Sequence, residues 1–92
     1  MDRRERIEAL LRAAFAPLEL AVVDESAKHR GHAGAAGGAG HFRVRLVSER
    51  FRGAGRLARH RMVYDALAAE IGSEIHALAL ELGAPGEPLP GG

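Results

Sequence analysis

Ile7, Leu10, Leu11, Ala14 and Phe15 recur at the i, i+3, i+4, i+7, i+8 spacing of a single helical stripe. Asp2 is available as an N-cap and Pro17 as a stop, so the pattern predicts a first helix from about Asp2 to Phe15. The period then shortens. Leu18, Leu20 and Val22 alternate with Glu19 and Ala21, and the β-branched pair Val22-Val23 supports a strand that ends in the polar Asp24-Glu25-Ser26. From Ala27 to Gly40 the chain is rich in Gly and Ala with nothing periodic to bury, which predicts a long mobile loop of the kind that is functional or disordered. Phe42, Val44 and Leu46 then alternate with Arg43 and Arg45, giving a second strand with one buried face and one cationic, solvated face. The two strands are expected to pair antiparallel across the loop.

Phe51-Arg52-Gly53-Ala54-Gly55 reads as a turn. After it, Ala58, Met62 and Ala66 share one helical stripe and Val63, Leu67 and Ile71 the adjacent one, predicting a second helix from about Arg56 to Ile71 closed by Gly72 at the C′ position. Ile75 to Leu82 is apolar apart from His76 and Glu81, as for a strand with neighbours on both sides or with covered faces. Gly83 to Gly92 carries three prolines and is expected to be a flexible tail, which leaves residues 1–82 as the folded domain. The order α-β-β-α-β implies an α+β fold, a three-stranded mixed sheet with its helices on one face. A right-handed crossover through the second helix would lay strand three parallel to strand two.

Composition narrows the chemistry. Ninety-two residues suit one domain with a small core. Lys plus Arg number 13 against 12 Asp plus Glu, so the net charge of +1 offers no global attraction for nucleic acid or membrane, and any basic surface must be local. With no cysteine there is no disulfide, no Cys nucleophile and no metal site built on this chain's own thiolates. The N-terminal Met1-Asp2-Arg3-Arg4-Glu5-Arg6 is not followed by an apolar segment, and no stretch nears the roughly 18 apolar residues of a membrane span, so a cytoplasmic location is expected.

Five histidines without a cysteine are the compositional oddity. Imidazole suits zinc, copper, nickel and iron, yet the helical His-x3-His and His-Glu-x-x-His spacings of an autonomous zinc site are absent. His29 and His32 sit in the glycine-rich segment, and a lone solvated side chain is the simplest reading of each histidine taken singly. Arg50, Arg52, Arg56, Arg59 and Arg61 crowd the turn and the start of the second helix, a cluster that can neutralise phosphates or simply form a solvated cationic face. Phe51 and Tyr64 are the only aromatics nearby, too few for a base-stacking platform. Neither Ser26 nor Ser48 lies in a nucleophile-elbow pattern, and no catalytic constellation is visible.

Four blocks in order carry a family likeness: Asp24-Glu25-Ser26 leading to His29, His41-Phe42-Arg43-Val44, Phe51-Arg52-Gly53 leading to Arg59-His60-Arg61, and Ile75-His76-Ala77-Leu78. Their order and spacing resemble the BolA family over roughly residues 5–82. That resemblance implies a fold like the class II KH domain and a non-enzymatic adaptor that pairs with a monothiol glutaredoxin. It implies a shared [2Fe-2S] cluster, with the glutaredoxin's cysteine and a bound glutathione supplying sulfur and no cluster on the isolated protein. His76 matches the family's recurrent ligand, and the chain resembles the subtype whose second ligand is a loop histidine: His29, with His32 as competitor. His41 and His60 read as structural, one opening a strand and the other capping or bridging within its helix. The same resemblance permits a second role in transcription and the stress response, through DNA contacts by Arg56, Arg59 and Arg61, whose Gly53-Ala54-Gly55 turn is loosely similar to the Gly-x-x-Gly clamp of KH domains. A monomer or weak homodimer is expected in isolation. The chain departs from the family at Gly31 to Gly40, where a Glu-Thr pair more often precedes His-Phe.

Overall fold

The computed structural model describes residues 1–26 and 40–89. Helix α1 spans Arg3–Phe15 and starts in a reciprocal cap: the Glu5 N–H donates to Asp2 Oδ1 at 2.8 Å and the Asp2 N–H to Glu5 Oε1 at 3.1 Å. Ile7, Leu11 and Phe15 form its buried stripe. It ends at Ala16, which takes the left-handed conformation (φ 44°, ψ 56°) so that its N–H reaches the Arg12 carbonyl, and Pro17 prevents continuation.

Strand β1 (Glu19–Asp24) pairs antiparallel with β2 (Gly40–Val47), which pairs in parallel with β3 (Ile75–Gly83); the sheet order is β1-β2-β3. The alternation on β2 separates two environments. Phe42, Val44 and Leu46 are buried against α1 and the second helix, while His41, Arg43 and Arg45 lie on the opposite face. The β2–β3 register aligns Leu78, Leu80 and Leu82 with those three core residues. All of this agrees with the α-β-β-α-β mixed sheet expected from the pattern.

Helix α2 (Arg56–Ala66) is shorter than its apolar period suggests. At Leu67 the backbone leaves the helix, and Ala68 and Glu70 make i→i+3 bonds to Asp65 and Leu67. Leu67, one turn after Val63 on the same stripe, is fully buried in the core. Gly72 does not cap the helix: its positive φ of 92° serves the turn into β3, where its N–H donates to the Ile75 carbonyl. Nor, among the described residues, does β3 have strands on both sides. It is an edge strand, with Leu78 and Leu80 partly buried, because the crossover lays it on the far side of β2 from β1.

Order continues past Leu82. Gly83 closes β3 and accepts the Ser48 N–H, Ala84 is fully buried, and Gly86 (φ 87°) turns the chain so that Glu87 meets Arg59 through two bonds of 2.7 and 3.1 Å. These residues brace α2. Among the described residues no helix is long and apolar enough to cross a membrane.

Ser48 joins three elements. Its fully buried hydroxyl donates to the Phe15 carbonyl at 2.7 Å, satisfying an orphan group at the end of α1, and accepts the Arg50 N–H at 3.1 Å to cap the 3₁₀ turn Glu49–Phe51. Phe51 of that turn packs on Phe15 with ring centroids 5.0 Å apart. Ser48→Ala strands a buried carbonyl and an N–H and is expected to cost about 1–3 kcal/mol, read as a lower midpoint at unchanged slope in urea denaturation. The Glu87 brace has its own signature. Hydrogen bonds from the Arg59 side chain, and secondarily from the Ala84 N–H, pull the Glu87 carboxyl down from 4.5 to about 2. Because the folded value is the depressed one, the contribution of the brace is fully present above pH 4.5 and disappears only as pH falls toward 2. Carboxyl-detected NMR titration should find Glu87 still ionised at pH 3.5 in the native chain and titrating at a higher pH in Arg59→Ala.

Candidate functional site

The N-terminal ends of the parallel strands β2 and β3 meet in a bulge. Gly40 is opposite Ile75 but His41 is opposite Ala77, so His76 is an extra residue on β3. Simple alternation would put Ile75 and Ala77 on one face and His76 on the other. The bulge undoes this: Ile75 is buried in the core, Ala77 is exposed in register with His41, and His76 is exposed on the rim between them. Its ring lies 5.2 Å from that of His41, centroid to centroid, with 50° between planes. Two of the five histidines, 35 positions apart, are therefore neighbours.

The Asp24-Glu25-Ser26 block holds one of them in place. Ser26 Oγ accepts the His41 N–H at 3.1 Å, the Glu25 N–H donates to the His41 carbonyl at 2.7 Å, and Asp24 Oδ1 accepts the Ser26 N–H at 2.9 Å. The bonded Ser26 side chain, then its N–H, keeps the Asp24 carboxyl below its ordinary range. Glu25 also pairs with Arg43 at 3.3 Å. Gly40, at the head of β2, has no space for a side chain: a Cβ there would lie 2.5 Å from Phe42 Cε2 and 2.8 Å from Arg3 Nη1. So three of the four sequence blocks converge on this rim. His29 and His32 lie outside the described residues, and among the described ones no three His, Asp or Glu side chains form a metal-binding group.

The remaining block lies at the opposite end of the strands. Arg52 pairs with Glu49 at 2.7 Å and donates to the Pro85 carbonyl. Arg59, only 14% exposed in its side chain, is held by Glu87, by the Ala54 carbonyl at 2.7 Å and by the Phe51 ring, whose centroid is 5.9 Å from the guanidinium carbon. Among the described residues Arg50, Arg56 and Arg61 make no ion pair and are exposed. Arg56 and half-buried His60 line an open cleft of about 270 Å³ floored by Leu80 and Leu82. Gly55, the N-cap of α2, provides no side-chain cap. The sequence signal for these arginines was clear, but the carboxylate that occupies Arg59 is 28 positions away and carries no local signature.

The sequence and the fold are similar to those of known proteins. The chain is 56% identical over 77 residues to the DNA-binding transcriptional regulator BolA of Escherichia coli, covering 84% of this chain and 70% of that one. It is 41% identical over 91 residues to SufE-like protein 1 of Arabidopsis thaliana, covering 94% of this chain but 24% of that longer protein. Among solved structures it is similar to the BolA domain of SufE1 from Arabidopsis thaliana, with a TM-score of 0.84 and 38% identity over 96% of this chain and 98% of that one. It is also similar to the solution structure of BolA1 from Mus musculus, with a TM-score of 0.75 and 41% identity over 92% and 67% of the two chains. A family model for BolA-like proteins matches residues 11–87, which takes in both the imidazole rim and the arginine turn; the chain belongs to the BolA family.

Proposed function

We propose that this chain is a non-enzymatic adaptor of the cytoplasm that pairs with a monothiol glutaredoxin and co-ligates a [2Fe-2S] cluster in iron–sulfur trafficking or iron-dependent regulation. The supporting observation is the exposure of His76 on the bulge, where a partner can approach an imidazole held by strand geometry. Having no cysteine, the chain has no thiolate to offer such a centre, and in this reading it contributes nitrogen while the glutaredoxin and glutathione donate sulfur. Imidazole in place of thiolate on one iron raises the reduction potential, the chemistry a cluster bound here would supply. His29, with His32 as its competitor, is the second ligand in this reading.

Mixing the protein with a glutaredoxin, glutathione, iron and sulfide should give visible absorption and circular dichroism bands different from those of the glutaredoxin alone. His76→Ala should return the spectrum to the glutaredoxin-only form without changing the far-ultraviolet spectrum, since an exposed ring contributes little to the core. A holo spectrum unaltered by that substitution rules out His76 as a ligand.

A second reading is supported by the relative named as a DNA-binding transcriptional regulator and by Arg56 and Arg61 on α2, exposed and without an ion pair among the described residues. In this role the two exposed arginines contact phosphates while Arg59 stays in its brace. Oligonucleotide affinity should then fall steeply with salt, and Arg56→Ala with Arg61→Ala should flatten the log–log slope by about 2. Arg59→Ala should lower thermal stability first. Absence of binding at low salt sinks the nucleic-acid role of this domain.

A further inference from the structure

We propose that His41 and His76 form a bis-imidazole site that binds one divalent first-row transition ion, of the copper and zinc class, on the isolated protein. The inference needs no glutaredoxin, glutathione or sulfide, and it assigns a ligand role to His41, which sequence position alone marks as a strand opener. Its basis is distance. Two imidazoles bound to one tetrahedral ion through bonds of about 2.0–2.1 Å hold their ring centroids roughly 5 Å apart. The His41 and His76 centroids are 5.2 Å apart, and the 50° between their planes is far from the parallel arrangement of a stacked pair.

The backbone also prepares the site. His41 is anchored through both its N–H and its carbonyl, by Ser26 Oγ and the Glu25 N–H. His76 is delivered by a bulge at a fixed register position. Both ligands therefore stand on a hydrogen-bonded sheet, where little ordering is left for the ion to impose. Ala77 and Ala79 line a neighbouring hollow with His41, Arg43 and Glu25.

With no third His, Asp or Glu grouped with them among the described residues, affinity should be lower than at a closed four-ligand site and should follow the general order in which copper(II) exceeds nickel(II) and zinc(II).

Copper(II) titrated into the full chain, followed by calorimetry and electron paramagnetic resonance, should show one ion per chain with nitrogen couplings from two imidazoles. Zinc(II) should shift the ring proton resonances of both His41 and His76 in the unaltered protein. His41→Ala and His76→Ala should each weaken binding by tenfold or more while His60→Ala leaves it unchanged, and His41→Gln provides a second test should the alanine variant fold poorly. Wild-type affinity in a folded His41 variant, or zinc-induced shifts that miss the His41 ring, overturns the site. The two readings can fail separately. Loss of the glutaredoxin-dependent spectrum with copper binding intact refutes the shared cluster, and the reverse result refutes the bis-imidazole site.

Discussion

Strand β2 is the constraint on which the rest of this small protein depends. It is the central strand, antiparallel to β1 and parallel to β3, and the strict alternation of its side chains assigns each residue to one of two roles. Phe42, Val44 and Leu46 anchor the core shared with Ile7, Leu11, Phe15, Val63 and Leu67. His41, Arg43 and Arg45 are placed on the uncovered face by the same alternation. A slip of one residue would exchange these sets, burying cations and exposing the core, so the energy that sets the register also positions the candidate site.

Ion pairs in this fold position elements more than they stabilise them. Arg3 and Arg6 of α1 reach Glu70 and Glu74 in the segment that leads into β3, at 2.8 to 3.3 Å, and Arg59 reaches Glu87 beyond the end of that strand. Partly exposed pairs of this kind are worth about 0–1 kcal/mol each. Their directional effect is larger, because they hold both ends of an edge strand whose N-terminal end carries His76 and whose C-terminal end borders the arginine turn.

The imidazole rim and the arginine turn are separated by the length of β2, roughly 25 Å for a strand of eight residues. The separation follows from topology: parallel strands bring their N-terminal ends together at one edge, and the connection through α2 begins at the other. Arg59 lines the cleft beside Arg56, with its guanidinium engaged by Glu87 and the Ala54 carbonyl.

Much of this architecture was legible in the chain itself, because it is encoded over short distances. The α1 stripe, the alternation on β2, the stop at Pro17 and the parallel crossover depend on the spacing of apolar residues within a few turns or strand steps, and the ordered blocks identified the family. The end of α2 was not legible, since the apolar stripe continues through Ile71 while the backbone leaves the helix at Leu67. Only the folded structure put Glu87 on Arg59, made β3 an edge strand and set His41 beside His76. Those arrangements depend on pairings between residues tens of positions apart and on one irregular step in the β2–β3 register, and a bulge has no periodic signal because it is the place where the period breaks.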